Sequence, residues 1–502
     1  MRLARSEEIY RLDAAARAAA WSPPGADPSA SLMRLAARAL ADRVREIAAL
    51  MPVRPAAVAF CGSGDNGRDA AMALDILSGL GFETVRLDVP GSFDPAMPPC
   101  ALPSPAVVLD GILGIGLKGA PREPAASAIR WLRAARGQAA PGALHIVSVD
   151  VPSGLRPDEA SIPEGTLAVR ADETLVMGLP KPVFAAPGAI GFTGEIRVAD
   201  ISYPESAYAA AADDPESSAA AVELFAERDL GLARPARAWD SHKGSFGRVA
   251  LFAGSERYPG AAMLATLGAL RGGAGIVEAF VPERFAPAFA ARRPEAIFRG
   301  WRGEAVSAAA LAAAGPSLAG AVVAAGPGFS RASGVAGALR WLLSTPDVAL
   351  FVLDADALFA LGRLPDGGAS PLADAPCILT PHPGEAARLL GVSAAEIARD
   401  RATAARELSA RSGATVLLKG AGTLVASPGK PLALVAAGSP ALAKGGSGDI
   451  LCGLCAALAA RGLSAHDAAC AAALLHGRAA AAAATGRSED AFVPSDLLRF
   501  LR

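Results

Sequence analysis

The amino-acid sequence predicts an α/β protein made of two doubly wound domains. Three observations carry that expectation. Short β-rich runs alternate with helical stretches along nearly the whole chain, the pattern of parallel sheets covered on both faces. The 502 residues, 52% hydrophobic and 19% charged, supply two cores and exclude a disordered chain. A small, polar, acidic stretch, ESAYAAAADDPESSAA (205–220), interrupts the alternation and reads as a linker. The expected division is a first domain over 1–210, a linker over 211–221 and a second domain over 222–502.

Strands are expected in the first half at AAVAF (56–60), AVVLD (106–110) and HIVSVD (145–150). In the second half they are expected at RVALFAG (248–254), AVVAAG (321–326), ALFVLDAD (349–356) and TVLLKG (415–420). The halves share a fold class but no visible repeat.

The formal net charge is −1 and no block of like charge stands out, so no nucleic-acid or membrane partner is expected; a small molecule is. Six scattered cysteines lack paired zinc spacing, and Cys452/Cys455 sit in an apolar stretch that reads as core packing. This usage fits a reducing, cytoplasmic location. The opening MRLARSEEIYRLDAAARAAAW is broken by charges and has no apolar signal core, and no uncharged run reaches the ~20 residues of a membrane helix.

Three loops in the first half follow strands. AFCGSGDNGRDA (59–70) leads into a helical pattern, so its glycines permit close backbone approach and the helix start offers free N–H groups to an anion. Alone, it is equally a tight strand-to-helix turn. LDGILGIGLKG (109–119) puts Asp110 at a strand end, and SVDVPSGL (148–155) does the same for Asp150. Ligands bind at the carboxyl ends of strands in open parallel sheets, where these loops can converge.

These segments, with SEEIYRLDAAA, SLMRLAARAL (31–40), ADETLVMGLPKP (171–182) and GEIRVADISYP (194–204), resemble the NAD(P)H-hydrate epimerase family, which includes apolipoprotein A-I-binding protein. The resemblance covers residues 1–204 and implies a Rossmann-like domain. It implies a potassium ion on Asn66, Asp110 and Ser153, and Asp150 as acid/base beside the nicotinamide ring. It also implies substrate binding by Asp65, Asn66, Gly67, Arg68 and Asp69, and by Gly114, Ile115, Gly116, Leu117, Lys118, Gly119 and Ala120. The family usually reads NNGGDG where this chain has DNGRDA, so Asp65, Arg68 and Ala70 are departures, as is Ile115 where threonine is usual. If residue 68 needs positive φ, its arginine is strained by about 1 kcal/mol or more; otherwise Arg68 can contact a phosphate.

The strongest motif is GSPALAKGGSGDILCG (438–453), where a glycine turn opens a helix with Asp449 in its first turn. Backbone N–H groups gathered at a helix start suit a phosphoryl group, and the carboxylate can act on a hydroxyl proton. With HKGSFGRVALFAGS (242–255), GPGFS (326–330), VLDADAL (352–358), LTPHPGEAARLLG (379–391) and LLKGAGTLVA (417–426), it resembles the ADP-dependent NAD(P)H-hydrate dehydratases, which are ribokinase-like, over about 228–500.

That resemblance implies nucleotide binding by Lys419, Gly420, Ala421, Gly422, Thr423 and Gly448. It implies hydrate binding by Ala262, Gly328, His382 and Asp449, with Asp449 catalytic, Mg2+, and ADP as co-substrate. Asp354 and Asp356 either position Mg2+ through water or stabilise their loop. HKGSFG either closes over the site or is a structural turn. His476 reads as a packed histidine.

The combined expectation is repair of hydrated NAD(P)H: interconversion of the R and S hydrates by the first half and dehydration of the S hydrate by the second. The expected partners are NADHX, NADPHX and ADP. A homo-oligomer is the expected assembly, although no residue pattern gives the number of copies. A small-molecule kinase shares the GGSGD loop, and a binding protein with an inactive first half fits Arg68. A dinucleotide-linked oxidoreductase is a weaker rival, although the first loop, GSGDNG, has the glycine spacing GxGxxG.

Overall fold

In the computed structural model, residues 1–18, 28–203, 222–233, 237–303, 305–367, 370, 372 and 375–501 are described. The expected linker, 211–221, lies outside them. The chain divides into two compact units, Met1–Glu227 with Ala484–Phe492, and Arg228–Ala483 with Val493–Arg502.

The first unit opens with helices α1 (Ser6–Ala18) and α2 (Pro28–Leu50). Then come β1 (Ala56–Cys61), α3 (Asp65–Gly79), β2 (Thr84–Asp88), β3 (Ala106–Gly111), α4 (Ala125–Gln138), β4 (Leu144–Val149), β5 (Glu173–Met177) and β6 (Glu195–Ala199). The sheet order is β2-β1-β3-β4-β5-β6, parallel throughout. Strand β1 is buried on both faces because its two side-chain sets enter different cores. Ala57 and Ala59 join Leu12, Leu40, Val44 and Leu74 on one side; Val58 and Phe60 join Ile129, Trp131 and Leu132 on the other. The chain leaves β1 for β2 on one side and later returns to β3 on the other. The β1 and β3 loops therefore flank the topological switch point, where such sheets hold ligands.

Gly67 and Gly62 are fixed by space rather than by φ. A Cβ on Gly67 would lie 2.0 Å from the Gly62 carbonyl oxygen, and one on Gly62 would lie 1.9 Å from the Ile112 oxygen. Gly67→Ala is expected to lower the calorimetric unfolding temperature, since backbone atoms must shift to admit one methyl.

The second unit has strands in the order Ile297–Trp301, Ile276–Pro282, Arg248–Phe252, Val322–Ala325, Leu350–Leu353, Cys377–Leu379, Thr415–Leu418, Thr423–Ala426 and Leu432–Val435. Pairing is parallel as far as Thr415–Leu418 and antiparallel in the last two pairs. Helix Ser447–Ala460 lies against helix Pro259–Gly272 at backbone contact. A Cβ on Gly453 would fall 1.9 Å from the Ala265 oxygen, and one on Gly268 would fall 2.2 Å from the Ile450 oxygen. This close fit holds the helix carrying Asp449 against its neighbour. All six cysteines are free, and Cys452 and Cys455 are buried. Among the described residues no helix is long and apolar enough to cross a membrane.

Candidate functional sites

In the first unit the β1, β3 and β4 loops meet around a cavity of about 1270 Å3. It is lined by Asp65–Asp69, by Gly114–Ala120 and by Asp150, so every residue expected to hold substrate here borders one space. Tyr10, Asp13 and Tyr203 also line it; they stand in the quoted SEEIYRLDAAA and GEIRVADISYP segments, where no role was assigned to them.

Asp150 follows β4 with φ 67°, a left-handed conformation that a short polar side chain tolerates. Its Oδ1 accepts from the Met177 N–H at 2.9 Å and from Lys181 Nζ. Lys181 is fully buried, and Asp150 nearly so. The lysine stands in the quoted GLPKP run, but its partnership with a residue 31 positions away depends on β4 and β5 being neighbours.

Asp69 is 7% exposed, and its Oδ1 is buried with no hydrogen-bond partner. Burial pushes its carboxyl up to about 7, and the negative charges of Asp65 and Asp150 add to this.

Asp110 is wholly buried. Its Oδ2 accepts from Ser148 Oγ at 2.8 Å and the Ser153 N–H at 2.9 Å. Burial raises its pKa despite these bonds. Ser153 Oγ accepts from the Leu113 N–H at 2.8 Å. Asn66 Nδ2 donates to the Val149 oxygen at 2.6 Å. Asp110, Ser153 and Asn66 thus meet between the β3 and β4 loops, amid carbonyl oxygens of Leu113 and Val149. An oxygen set around a buried carboxylate suits a hard cation.

Arg68 lies in the first turn of α3 without positive φ, so the conditional strain does not arise. It pairs with Asp65, both side chains more than half exposed. The two departures from the usual motif therefore offset each other's charge.

In the second unit three adjacent parallel strands end in Asp354, Thr380 and Lys419. Asp354 is buried, and its Oδ1 accepts from Thr380 Oγ1 and Lys419 Nζ, each at 2.8 Å. Burial opposes the charge on Lys419, but Asp354 and then Glu385, 3.9 Å away, outweigh it and raise its pKa. A Cβ on Gly448 would lie 3.4 Å from Lys419 Nζ and 3.6 Å from Asp354 Oδ2. The start of helix Ser447–Ala460 therefore abuts this pair. Burial, followed by the charge of Asp354, pushes Asp449 up to about 7.

Asp356 Oδ2 accepts from the Ser330 N–H at 2.8 Å. Asp354 thus holds Lys419 and Thr380 through one oxygen, and Asp356 holds the Ser330 N–H through one oxygen. Among the described residues no cluster of three or more His, Cys, Asp or Glu is placed to hold a metal.

His382 Nδ1 caps helix Pro383–Leu390, accepting from the Gly384 and Glu385 N–H groups, while its ring stays 56% exposed. Ala262 is fully buried; Gly328, with φ 66°, backs onto the Tyr258 carbonyl and Ala261. Gly275 and Gly247 press on the Lys243 and Ala460 carbonyls, so the HKGSFG turn is closely packed from both sides. His476 is buried, and burial lowers its pKa to about 4, so it is neutral at pH 7.

Two family models match separate parts of the chain. A family model described as NAD(P)H-hydrate dehydratase matches residues 249–501, and one described as YjeF-related protein N-terminus matches 73–183. The bifunctional NAD(P)H-hydrate repair enzyme Nnr of Moorella thermoacetica is 36% identical over 408 residues, covering 79% of this chain and 72% of that protein. The enzyme of the same name from Coxiella burnetii is 32% identical over 462 residues, 88% of each. Among solved structures, the ADP/ATP-dependent NAD(P)H-hydrate dehydratase of Bacillus subtilis, co-crystallised with ATP/Mg2+, is 33% identical with a TM-score of 0.50. It covers 56% of this chain and 96% of that one.

Proposed function

We infer the chemistry from one premise: the chain belongs to the family of bifunctional NAD(P)H-hydrate repair enzymes. It is an enzyme that epimerises hydrated NAD(P)H and dehydrates the S hydrate to NAD(P)H at the expense of a nucleotide. The observation that carries our assignment of residues is the Asp354–Lys419 pair beneath Gly448 and Asp449.

In the second unit, Lys419 and the 420–423 loop would hold the nucleotide phosphates. His382, Ala262 and Gly328 are the residues we assign to the hydrate side. Asp449 takes the proton of the hydrate's hydroxyl as that oxygen attacks the terminal phosphorus, and the nucleotide loses one phosphate. We assign ADP as donor, which leaves AMP. The phosphorylated oxygen then departs as phosphate while the neighbouring carbon loses a proton, restoring the ring double bond. Mg2+ bound with the nucleotide would supply charge neutralisation on the phosphate oxygens.

In the first unit, the hydrate's hydroxyl carbon is bonded to the ring nitrogen. Asp150 would take the hydroxyl proton as the carbon–nitrogen bond opens, and protonated Asp69 would give its proton to nitrogen. Reclosure on the other face reverses both transfers. Asn66, Asp110 and Ser153 fit a potassium ion, which would add a fixed positive charge near the phosphate-binding loops. A cytoplasmic homo-oligomer of two domains joined at 211–221 completes the reading.

The test is to incubate the purified chain with both epimers of hydrated NADH, Mg2+, K+ and either ADP or ATP, following NADH absorbance. Full recovery with ADP is expected. A stop at one epimer's share overturns the epimerase assignment. No recovery with either nucleotide overturns the dehydratase assignment and favours a small-molecule kinase.

The two activities are expected to have opposite pH limbs. Dehydration of pure S hydrate should fall below about pH 7 as the base Asp449 gains its proton. Epimerisation of pure R hydrate without nucleotide should fall above about pH 7 as the acid Asp69 loses its proton. Rate profiles for each purified epimer check both signs.

A further inference from the structure

We propose that Arg401 is the positioning residue of the nucleotide loop, its guanidinium drawing the loop carbonyls inward so that the loop N–H groups face the phosphates of a nucleoside diphosphate. The proposal rests on reading Lys419–Thr423 as the nucleotide loop. Arg401 comes from a different element, helix Arg401–Ser412, whose N-cap Asp400 accepts from the Thr403 N–H at 2.9 Å.

Arg401 donates to four carbonyls of one loop: Gly422 at 3.0 Å, Leu418 and Lys419 each at 3.3 Å, and Ala421. The loop is wrapped closely around it. Gly420 has φ 144°, and a Cβ there would lie 2.7 Å from Arg401 Nη2. Carbonyls turned to one side leave amides on the other. The N–H groups of Gly420, Ala421 and Gly422 make no hydrogen bond to the described residues. The Gly420 and Gly422 N–H groups stand opposite the Lys419 and Ala421 carbonyls that Arg401 holds, so they are the donors this arrangement offers to an anion.

Stability alone does not account for an arginine here. A cation in the first turn of a helix opposes the macrodipole. No carboxylate pairs with Arg401 among the described residues, burial lowers its pKa, and its Nε is buried without a partner. A residue that breaks several local rules at once marks a functional site. With carbonyls but, among the described residues, no carboxylate beside it, the guanidinium lies behind the loop, where an anionic ligand would neutralise its charge. Lysine cannot substitute for the planar fork, because one ammonium does not span four carbonyls.

The test measures binding of a non-hydrolysable methylene analogue of ADP to the full chain and to R401M and R401K, together with the KM for the S hydrate. We expect R401M to bind the analogue about tenfold more weakly or worse, with hydrate KM within about threefold of wild type. R401K should fall between, since charge is kept and geometry is lost. Variants that melt earlier but bind the analogue within twofold of wild type overturn the proposal, leaving Arg401 a structural staple. If R401M does not fold, R401K decides by the same criterion. A wild-type chain that binds no nucleotide overturns the loop assignment itself, an outcome distinct from wild-type binding that survives the substitutions.

Discussion

Asp449→Asn is expected to lower the turnover of S-hydrate dehydration by about 10²–10⁴-fold, the usual contribution of a positioned acid–base group, without making the chain less stable. The amide keeps the size of the carboxyl and loses only its ability to accept the hydroxyl proton. The stability expectation follows from the raised pKa. Asp449 titrates near 7 in the folded chain against an ordinary value of 3.8. Above about pH 7 the carboxylate is ionised both folded and unfolded, and the full penalty of burying it is present. As pH falls from about 7 toward 4 the folded chain takes up the proton first, so stability rises. Asparagine carries no such penalty, so the variant should melt no earlier than wild type at pH 8. Steady-state rates with pure S hydrate, and melting at pH 8 and pH 5, measure both. A variant retaining activity within threefold of wild type would remove Asp449 from the mechanism.

Asp150→Asn should abolish epimerisation by a comparable factor but with the opposite effect on stability. Its carboxylate is the recorded partner of Lys181, whose side chain is fully buried. Removing one member of a buried pair typically costs about 3–5 kcal/mol, because the other charge is left uncompensated. The left-handed backbone at residue 150 is no obstacle, since asparagine adopts it readily. Asp150→Asn should therefore lower the melting temperature, and adding Lys181→Met should restore much of it without restoring epimerisation. Following R-hydrate conversion in the absence of nucleotide isolates this activity. Recovery of epimerisation in the double variant would show that Asp150 serves only to neutralise the lysine. The contrast between the two aspartates is physical: one is a carboxyl pushed toward neutrality by burial, the other a carboxylate matched to a buried cation.

Much of the fold was legible because its signals are local. The seven strands read from the sequence coincide with observed strands, since an apolar β-rich run bounded by glycine and aspartate is decided within about ten residues. The loops at 65–69 and 114–120 were legible for the same reason, and both line the first cavity. Arg68 shows the limit of reasoning from a motif. Its conditional strain depended on the backbone, and the backbone there is the first turn of a helix.

Groups that act through a distant partner were not legible. Lys181 stood in a quoted motif without a role, and Arg401 was not singled out. The partners of Asp354 and Asp356 were not legible either. The Lys181 and Asp354 cases turn on strand order, because the sheet makes neighbours of residues 31 and 65 positions apart, whereas Arg401 reaches its loop because its helix packs along the strand that follows it. Hydrophobic periodicity and glycine placement are properties of short windows, so strand identity, loop position and the start of the Asp449 helix could be read from the residues alone. Charge compensation and pKa depend on burial and on contacts across the sheet. The pairing of Lys181 with Asp150, the raised pKa of Asp69 and Asp449, and the hold of Arg401 on its loop were therefore decided only by tertiary packing.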